Sequence, residues 1–171
     1  MNPQHTERLT IRPLAAATDA AFMLGLLNDP SWLHFIGDRG VKTLAEAQAY
    51  IESGPVAMYA RLGHGFCVLE TRRNAEPIGI CGLSQRDYLD SPDLGFALLP
   101  QYGGRGYAYE AAAAVLLDAQ TRLGLTRILA TTRLDNIASQ KLLEKLGLRF
   151  ERLMAHPEGG RLLKLYALAT P

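Results

Sequence analysis

The chain has 171 residues, 48% of them apolar, so it is long enough to bury a core and too apolar to be a disordered polymer. Its 18 basic and 17 acidic residues leave a formal charge of +1, which offers no electrostatic reason to bind nucleic acid or an anionic membrane surface. No apolar run reaches the ~20 residues a bilayer span requires, no secretion leader opens the chain, and its two cysteines make no disulfide framework. The expectation is one cytoplasmic domain over residues 1–171, with Cys67 and Cys81 as buried small hydrophobes.

In chain order, Arg8 to Arg12 alternates polar and apolar and ends at Pro13, which reads as a first strand. Asp19 to Leu27 reads as a helix capped by Thr18 and broken at Asn28-Asp29-Pro30. Thr43-Leu44-Ala45-Glu46 is a capping box that opens a second helix through Ile51, ended by Gly54-Pro55. Three short apolar strands follow, Phe66 to Thr71, Ile78 to Leu83 and Leu94 to Leu99, separated by turn residues. Tyr107 to Leu123 is a long alanine- and leucine-rich helix stopped by Gly124. Then come a strand from Arg127 to Thr132, a helix from Asn136 to Leu146 stopped by Gly147, and final strands at Leu148 to Leu153 and Leu162 to Leu168. This order describes a mixed α/β chain, an antiparallel meander feeding one strand-helix-strand unit.

Between the fourth strand and the long helix stands Pro100-Gln101-Tyr102-Gly103-Gly104-Arg105-Gly106-Tyr107-Ala108. A glycine-rich loop opening a helix aims unpaired backbone N–H groups and the positive end of the helix dipole at one spot, a physical recipe for holding phosphate. A phosphate-binding Walker loop would end in Gly-Lys-Ser/Thr, whereas this one ends in Gly106-Tyr107-Ala108. A dinucleotide fingerprint would place a third glycine where Tyr109 stands. From the loop alone, a plain tight turn remains an alternative.

The loop resembles the pyrophosphate loop of the GNAT N-acetyltransferases, which reads Gln/Arg-x-x-Gly-x-Gly/Ala. Gly106 and Ala108 match its fourth and sixth positions, and Gly103 departs at the first. Further segments resemble the branch that contains ribosomal-protein N-terminal acetyltransferases: Thr6 to Leu14, Pro77 to Leu83, Asp93 to Phe96, Gly106 to Ala111 and Asn136 to Gly147. They occur in the family's order and cover residues 6 to 168.

The resemblance implies a mixed central sheet of six to seven strands, splayed between the fourth and fifth and flanked by about four helices, with acetyl-CoA as co-substrate. It implies that Ala97, Leu98 and Leu99 lie along the pantetheine arm and that a backbone N–H there meets the thioester oxygen. Gly104, Gly106, Tyr107 and Ala108 would offer backbone N–H groups to the pyrophosphate, with the Arg105 side chain in reach. The amine attacks the thioester directly, so the implied machinery is a general base and an acid for the leaving sulfur. Asp93 is the first candidate base, and Glu110, in the first turn of the long helix, is expected to be structural. Many relatives protonate the sulfur with a tyrosine. Here the corresponding helix offers Ser139 for that role, with Asn136 one turn before it for the pantetheine amide.

The acceptor site is expected near Trp32 to Gly40, with Trp32, Asp38 and Arg39 as substrate residues, and both signs of charge leave the acceptor open. It is a small-molecule amine or a protein N-terminus, taken by a monomer or homodimer. The scattered histidines predict no metal. A catalytically silent coenzyme-A-binding module is the competing reading, which turnover with an amine panel separates from the enzyme.

Overall fold

A computed structural model describes residues 3–169. Eight strands form one sheet: β1 (Gln4–His5), β2 (Leu9–Pro13), β3 (Phe66–Thr71), β4 (Pro77–Ser84), β5 (Asp93–Leu98), β6 (Arg127–Arg133), β7 (Arg149–Ala155) and β8 (Leu162–Ala169). Their order is β1-β2-β3-β4-β5-β6-β8-β7, and every pairing is antiparallel except β5 with β6. That parallel pair is joined by the crossover helix α5, which the earlier helices α1 to α4 precede in the chain.

The central strands β3 and β4 read as near-continuous apolar runs because helices cover both faces of the sheet there. On β3, Cys67 and Leu69 face α5 (Tyr107–Thr121), whose Ala111, Ala112 and Leu116 pack in the same core as Leu143 of α6 (Ile137–Lys145). Val68 of β3 and Ile80 of β4 face the opposite core, with Met23, Leu26 and Leu27 of α1 (Ala16–Leu27) and Ala47 and Ile51 of α3 (Leu44–Ile51). Cys67 and Cys81 are free, buried and directly opposite each other on β3 and β4. Burial pushes the Cys67 thiol up to about 12.

Four local expectations differ from the structure. The sheet gains β1, an edge strand of two residues, too short to show a period. Helix α1 begins at Ala16 with Ala15 as its cap, and Thr18 lies inside it. The Asp19 carboxylate turns back to accept the Ala15 N–H at 2.7 Å, which supplies the missing cap contact from within the helix. Asn28-Asp29-Pro30 ends one helix but also starts α2 (Pro30–Phe35), since Asp29 accepts from the Ser31 N–H and proline suits a first helical turn. Gly54-Pro55 does not stop α3. The chain widens into a π turn over Glu52–Val56, which accommodates the proline ring, and continues as α4 (Ala57–Leu62) to Gly63.

Arg12 ties this first half together. Its guanidinium makes a two-point bond with Asp19, both contacts at 2.8 Å, and a third with Glu70 at 2.9 Å. Burial alone would raise the Asp19 carboxyl, but Arg12 and the Ala15 N–H outweigh it and hold it below the usual aspartate range. Arg12→Met would leave a buried charge unpaired, and urea unfolding should show a loss of about 3–5 kcal/mol.

Candidate active site

The sheet is forked. Along β5 and β6 the register holds only where Asp93 faces Leu129, with the Leu129 N–H on the Pro92 carbonyl at 2.9 Å. Beyond that point the strands part. The other side of β5 stays paired to β4 through Leu98, and the Leu99 N–H is committed to the Ile78 carbonyl at 2.9 Å. Backbone groups alternate sides along a strand. Ala97 and Leu99 therefore spend theirs on β4, whereas those of Phe96 and Leu98 face the gap with no strand partner. Of the three expected pantetheine residues, only Leu98 presents its backbone to the gap, and Phe96 joins it.

A cavity of about 230 Å³ fills the fork. Gly95, Phe96, Ala97 and Leu98 line one side, and Thr131, Thr132 and Ser139 the other. Among the described residues, Thr132 Oγ1 is the one buried side-chain polar atom without a partner. An orphaned hydroxyl in a cleft wall costs free energy unless a ligand meets it. Asn136 caps α6, its Oδ1 accepting from the Ser139 N–H at 3.1 Å, and its amide NH2 remains available to the cavity it lines.

At the mouth of α5, Gly106 is the cap residue with φ +81°, and no side chain caps the helix. The first N–H groups of α5 therefore lack acceptors, as a phosphate cradle requires. A Cβ at Gly106 would stand 3.2 Å from Arg8 Nη2, so glycine is needed for space as well as for φ. Arg8, from the loop before β2, holds this mouth in place. Its Nη1 donates to the Arg105 carbonyl at 2.8 Å, its Nε to Glu110 Oε2 at 2.7 Å, and its guanidinium lies 4.5 Å over the Tyr107 ring. Glu110 also accepts from the Thr6 hydroxyl and the Arg8 N–H. Burial would raise its carboxyl, but these donors together hold it below the usual glutamate range. The Arg105 side chain is exposed, 5.9 Å from the Tyr102 ring centre. The cleft and the uncapped helix thus suit both ends of a pantetheine-pyrophosphate group.

Asp93 sits at the vertex of the fork, 2% exposed, and lines the cavity. Both its oxygens accept from Arg86 Nε, at 3.1 and 3.0 Å. Burial pushes its carboxyl up and Arg86 pulls it back, with burial prevailing. Trp32 and Arg39 also line the cavity, Trp32 as a wall whose indole N–H donates to the Gly37 carbonyl at 3.1 Å. Asp38 does not line it. Its carboxylate is exposed and tied to the Gly40 N–H at 2.8 Å and Lys42 Nζ at 3.1 Å, which satisfies it locally. The far rim is closed by a link between the two halves of the sheet: Arg133 donates to Asp135 and to the His34 carbonyl, both at 2.8 Å, and His34 Nε2 lies 3.2 Å from Asp135.

Sequence reasoning missed Arg8, Arg86, Phe96, Thr132, His156 and Arg161. Arg86 follows β4 in a polar cluster, and Arg161 follows Gly159-Gly160, but neither position carries a periodic signal. No group of three or more potential metal-binding side chains occurs among the described residues, and no described helix is long and apolar enough to cross a membrane.

A family model described as an acetyltransferase (GNAT) domain matches residues 8–149. An uncharacterized N-acetyltransferase, p20 of Bacillus licheniformis, is 27% identical over 97% of this chain and 94% of its own. The putative GnaT-family acetyltransferase of Bordetella pertussis superposes with a TM-score of 0.83 at 25% identity, over 99% of this chain and all of the other. A ribosomal L7/L12 alpha-N-protein acetyltransferase in complex with coenzyme A superposes with a TM-score of 0.83 over 96% of this chain and 95% of its own; at 16% identity it speaks to the fold.

The Arg8–Glu110 clamp makes a pH-dependent prediction. A depressed carboxyl adds stability above its unfolded pKa of about 4.3 and loses it as pH falls through the lower folded value. Glu110→Gln should cost about 1 kcal/mol at pH 7, a modest figure because the Arg8 side chain is 41% exposed. The difference from wild type should fade by about pH 3 in thermal unfolding.

Proposed function

The chain belongs to the GNAT acetyltransferase family, and from that premise we propose how its own residues carry an acetyl group from acetyl-CoA to a primary amine. It is an N-acetyltransferase that uses acetyl-CoA as co-substrate. The observation that carries the residue assignments is the fork, because it frees the backbone of Phe96 and Leu98 toward a cavity that the base and acid candidates also line.

Acetyl-CoA supplies the activated acetyl thioester. The backbone N–H groups of Gly104, Gly106, Tyr107 and Ala108 hold the pyrophosphate at the uncapped start of α5, with Arg105 as an exposed cation beside them. The free backbone edge of Phe96 and Leu98 binds the pantetheine arm as a further strand, with the Asn136 amide and the Thr132 hydroxyl meeting it from across the fork. A backbone N–H on that edge stabilises the oxygen that becomes negative as the amine attacks.

An amine must lose a proton to attack. The cavity lining offers two carboxylates, Asp29 and Asp93. Asp29 is spent capping α2, whereas the Asp93 carboxyl is raised by burial, which favours accepting a proton. Asp93 takes the ammonium proton, directly or through one water, with Arg86 setting how readily. The Ser139 hydroxyl gives its proton to the departing sulfur and is reprotonated by the second proton that the attacking nitrogen sheds as the amide forms. Trp32 and Arg39 border the acceptor, a small molecule or a protein N-terminus, the latter as in the ribosomal L7/L12 alpha-N-protein acetyltransferase of similar fold. The compartment proposed for it is the cytoplasm, where the buried thiols of Cys67 and Cys81 stay reduced.

Calorimetry should show acetyl-CoA binding in the wild type and at least ten-fold weaker binding in Gly106→Glu, which places a like charge against the pyrophosphate. Equal affinity in that variant would remove the loop from the site. Asp93→Asn should lower kcat by about 10²- to 10⁴-fold. Arg86→Gln should move the acidic limb of the kcat/KM profile to higher pH, since losing the cation raises the Asp93 carboxyl further. A limb that stays in place would take the base role from Asp93.

A further inference from the structure

We propose that the acceptor is an amine that also carries an anionic group, carboxylate or phosphate, bound at Arg39 and Arg161. The proposal rests on the cavity in the fork being the acetyl-transfer site. Four arginines line that cavity, Arg39, Arg86, Arg133 and Arg161, against two carboxylates, Asp29 and Asp93, and no lysine or glutamate. A site built for a polyamine or another polycation would show the opposite balance.

The four arginines are not equivalent. Arg86 is neutralised by Asp93 and Arg133 by Asp135. Arg39 and Arg161 have no carboxylate within ion-pair distance among the described residues, and both are exposed at the cavity rim. They reach it from separate elements. Arg39 follows α2, and Arg161 ends the turn between β7 and β8, where its carbonyl accepts from the His156 N–H at 2.8 Å and the His156 ring packs 5.4 Å from Tyr88.

These two cations are not placed for the pyrophosphate. The loop from Gly103 to Ala108 contributes nothing to this cavity lining, and α5 packs on the face of the sheet opposite α1 to α3. Their remaining role is toward the acceptor. A guanidinium suits a planar carboxylate or a phosphate, which it binds with charge-assisted hydrogen bonds, and either of these two is free to do so. The same positive rim disfavours an ammonium inside the cavity, so it lowers the acceptor amine's pKa and shares the deprotonation work with Asp93.

The test measures kcat/KM with acetyl-CoA for matched acceptors in three sizes. The pairs are β-alanine against its amide, ethanolamine phosphate against ethanolamine, and Ser-Glu-Glu against Ser-Lys-Lys peptides, with putrescine as the polycation. The expected result is preference for the anionic member, the first two pairs separating carboxylate from phosphate. In Arg39→Glu and Arg161→Glu the ratio within the preferred pair should fall about 10- to 100-fold, with the loss in KM for the anionic member. An unchanged ratio in a variant that still binds acetyl-CoA, and so is folded, would overturn the proposal. Preference for putrescine, for Ser-Lys-Lys or for the neutral members would also overturn it, as would no turnover of any acceptor by an enzyme that binds acetyl-CoA. Absence of acetyl-CoA binding would instead overturn the reading of the site on which the proposal rests.

Discussion

The structure depends on one short stretch of parallel pairing. β5 and β6 hold register only at Asp93 and Leu129, and from there each strand follows the half of the sheet to which it is otherwise bonded. β5 stays with β4 across its whole length, and β6 stays with β8 from Arg127 to Arg133. Antiparallel ladders on both outer sides thus stabilise a vertex that its own few hydrogen bonds would not. Exposed backbone along a strand normally invites aggregation. Here it is sheltered inside a cleft lined by both halves of the sheet.

The fork brings remote segments to one place, and the chain stabilises each differently. The wall from α1 to α3 is fixed by Arg12, Asp19 and Glu70 around β2 and β3. The mouth of α5 is fixed by Arg8 and Glu110, about a hundred residues apart in sequence. The far rim is fixed by Arg133, Asp135 and His34, which bridge the halves that the fork separates. In each cluster an arginine joins a carboxylate to a backbone carbonyl, as suits a side chain with five donors in a rigid plane. What stays unsatisfied lies where a ligand would bind: the first N–H groups of α5, the inner edge of β5 and the Thr132 hydroxyl.

Much of this was legible in the sequence where local chemistry dictates structure. The capping box at Thr43 and Glu46 forms as its residues require, and Gly147, with φ +93°, ends α6 as a glycine stop should. The strand runs were recognisable because two helical layers bury both faces, and the glycine loop because few other sequences join a strand to an uncapped helix. The missing parts are long-range or backbone-borne. That Asp93 meets Arg86 depends on how the segment between β4 and β5 folds back, which no period encodes. That the free backbone groups belong to Phe96 rather than Ala97 depends on register, and a one-residue change in register exchanges the two sides. β1 exists only because β2 offers it an edge, and Pro55 stays within helical structure only because the chain widens there.

Gly103 shows how such a long-range contact can replace a local one. In the family pattern that position carries a glutamine, arginine or tryptophan; here it has no side chain. Its backbone is extended, with φ −65° and ψ 155°, and its N–H closes a turn on the Pro100 carbonyl at 3.0 Å. The loop is instead braced by Arg8, whose guanidinium lies over Tyr107, bonds the Arg105 carbonyl and occupies the space beside Gly106. A brace from the loop before β2 holds this backbone from outside the glycine loop itself. A side chain restored at position 103 would add little while Arg8 remains, whereas loss of Arg8 would expose the lack of one.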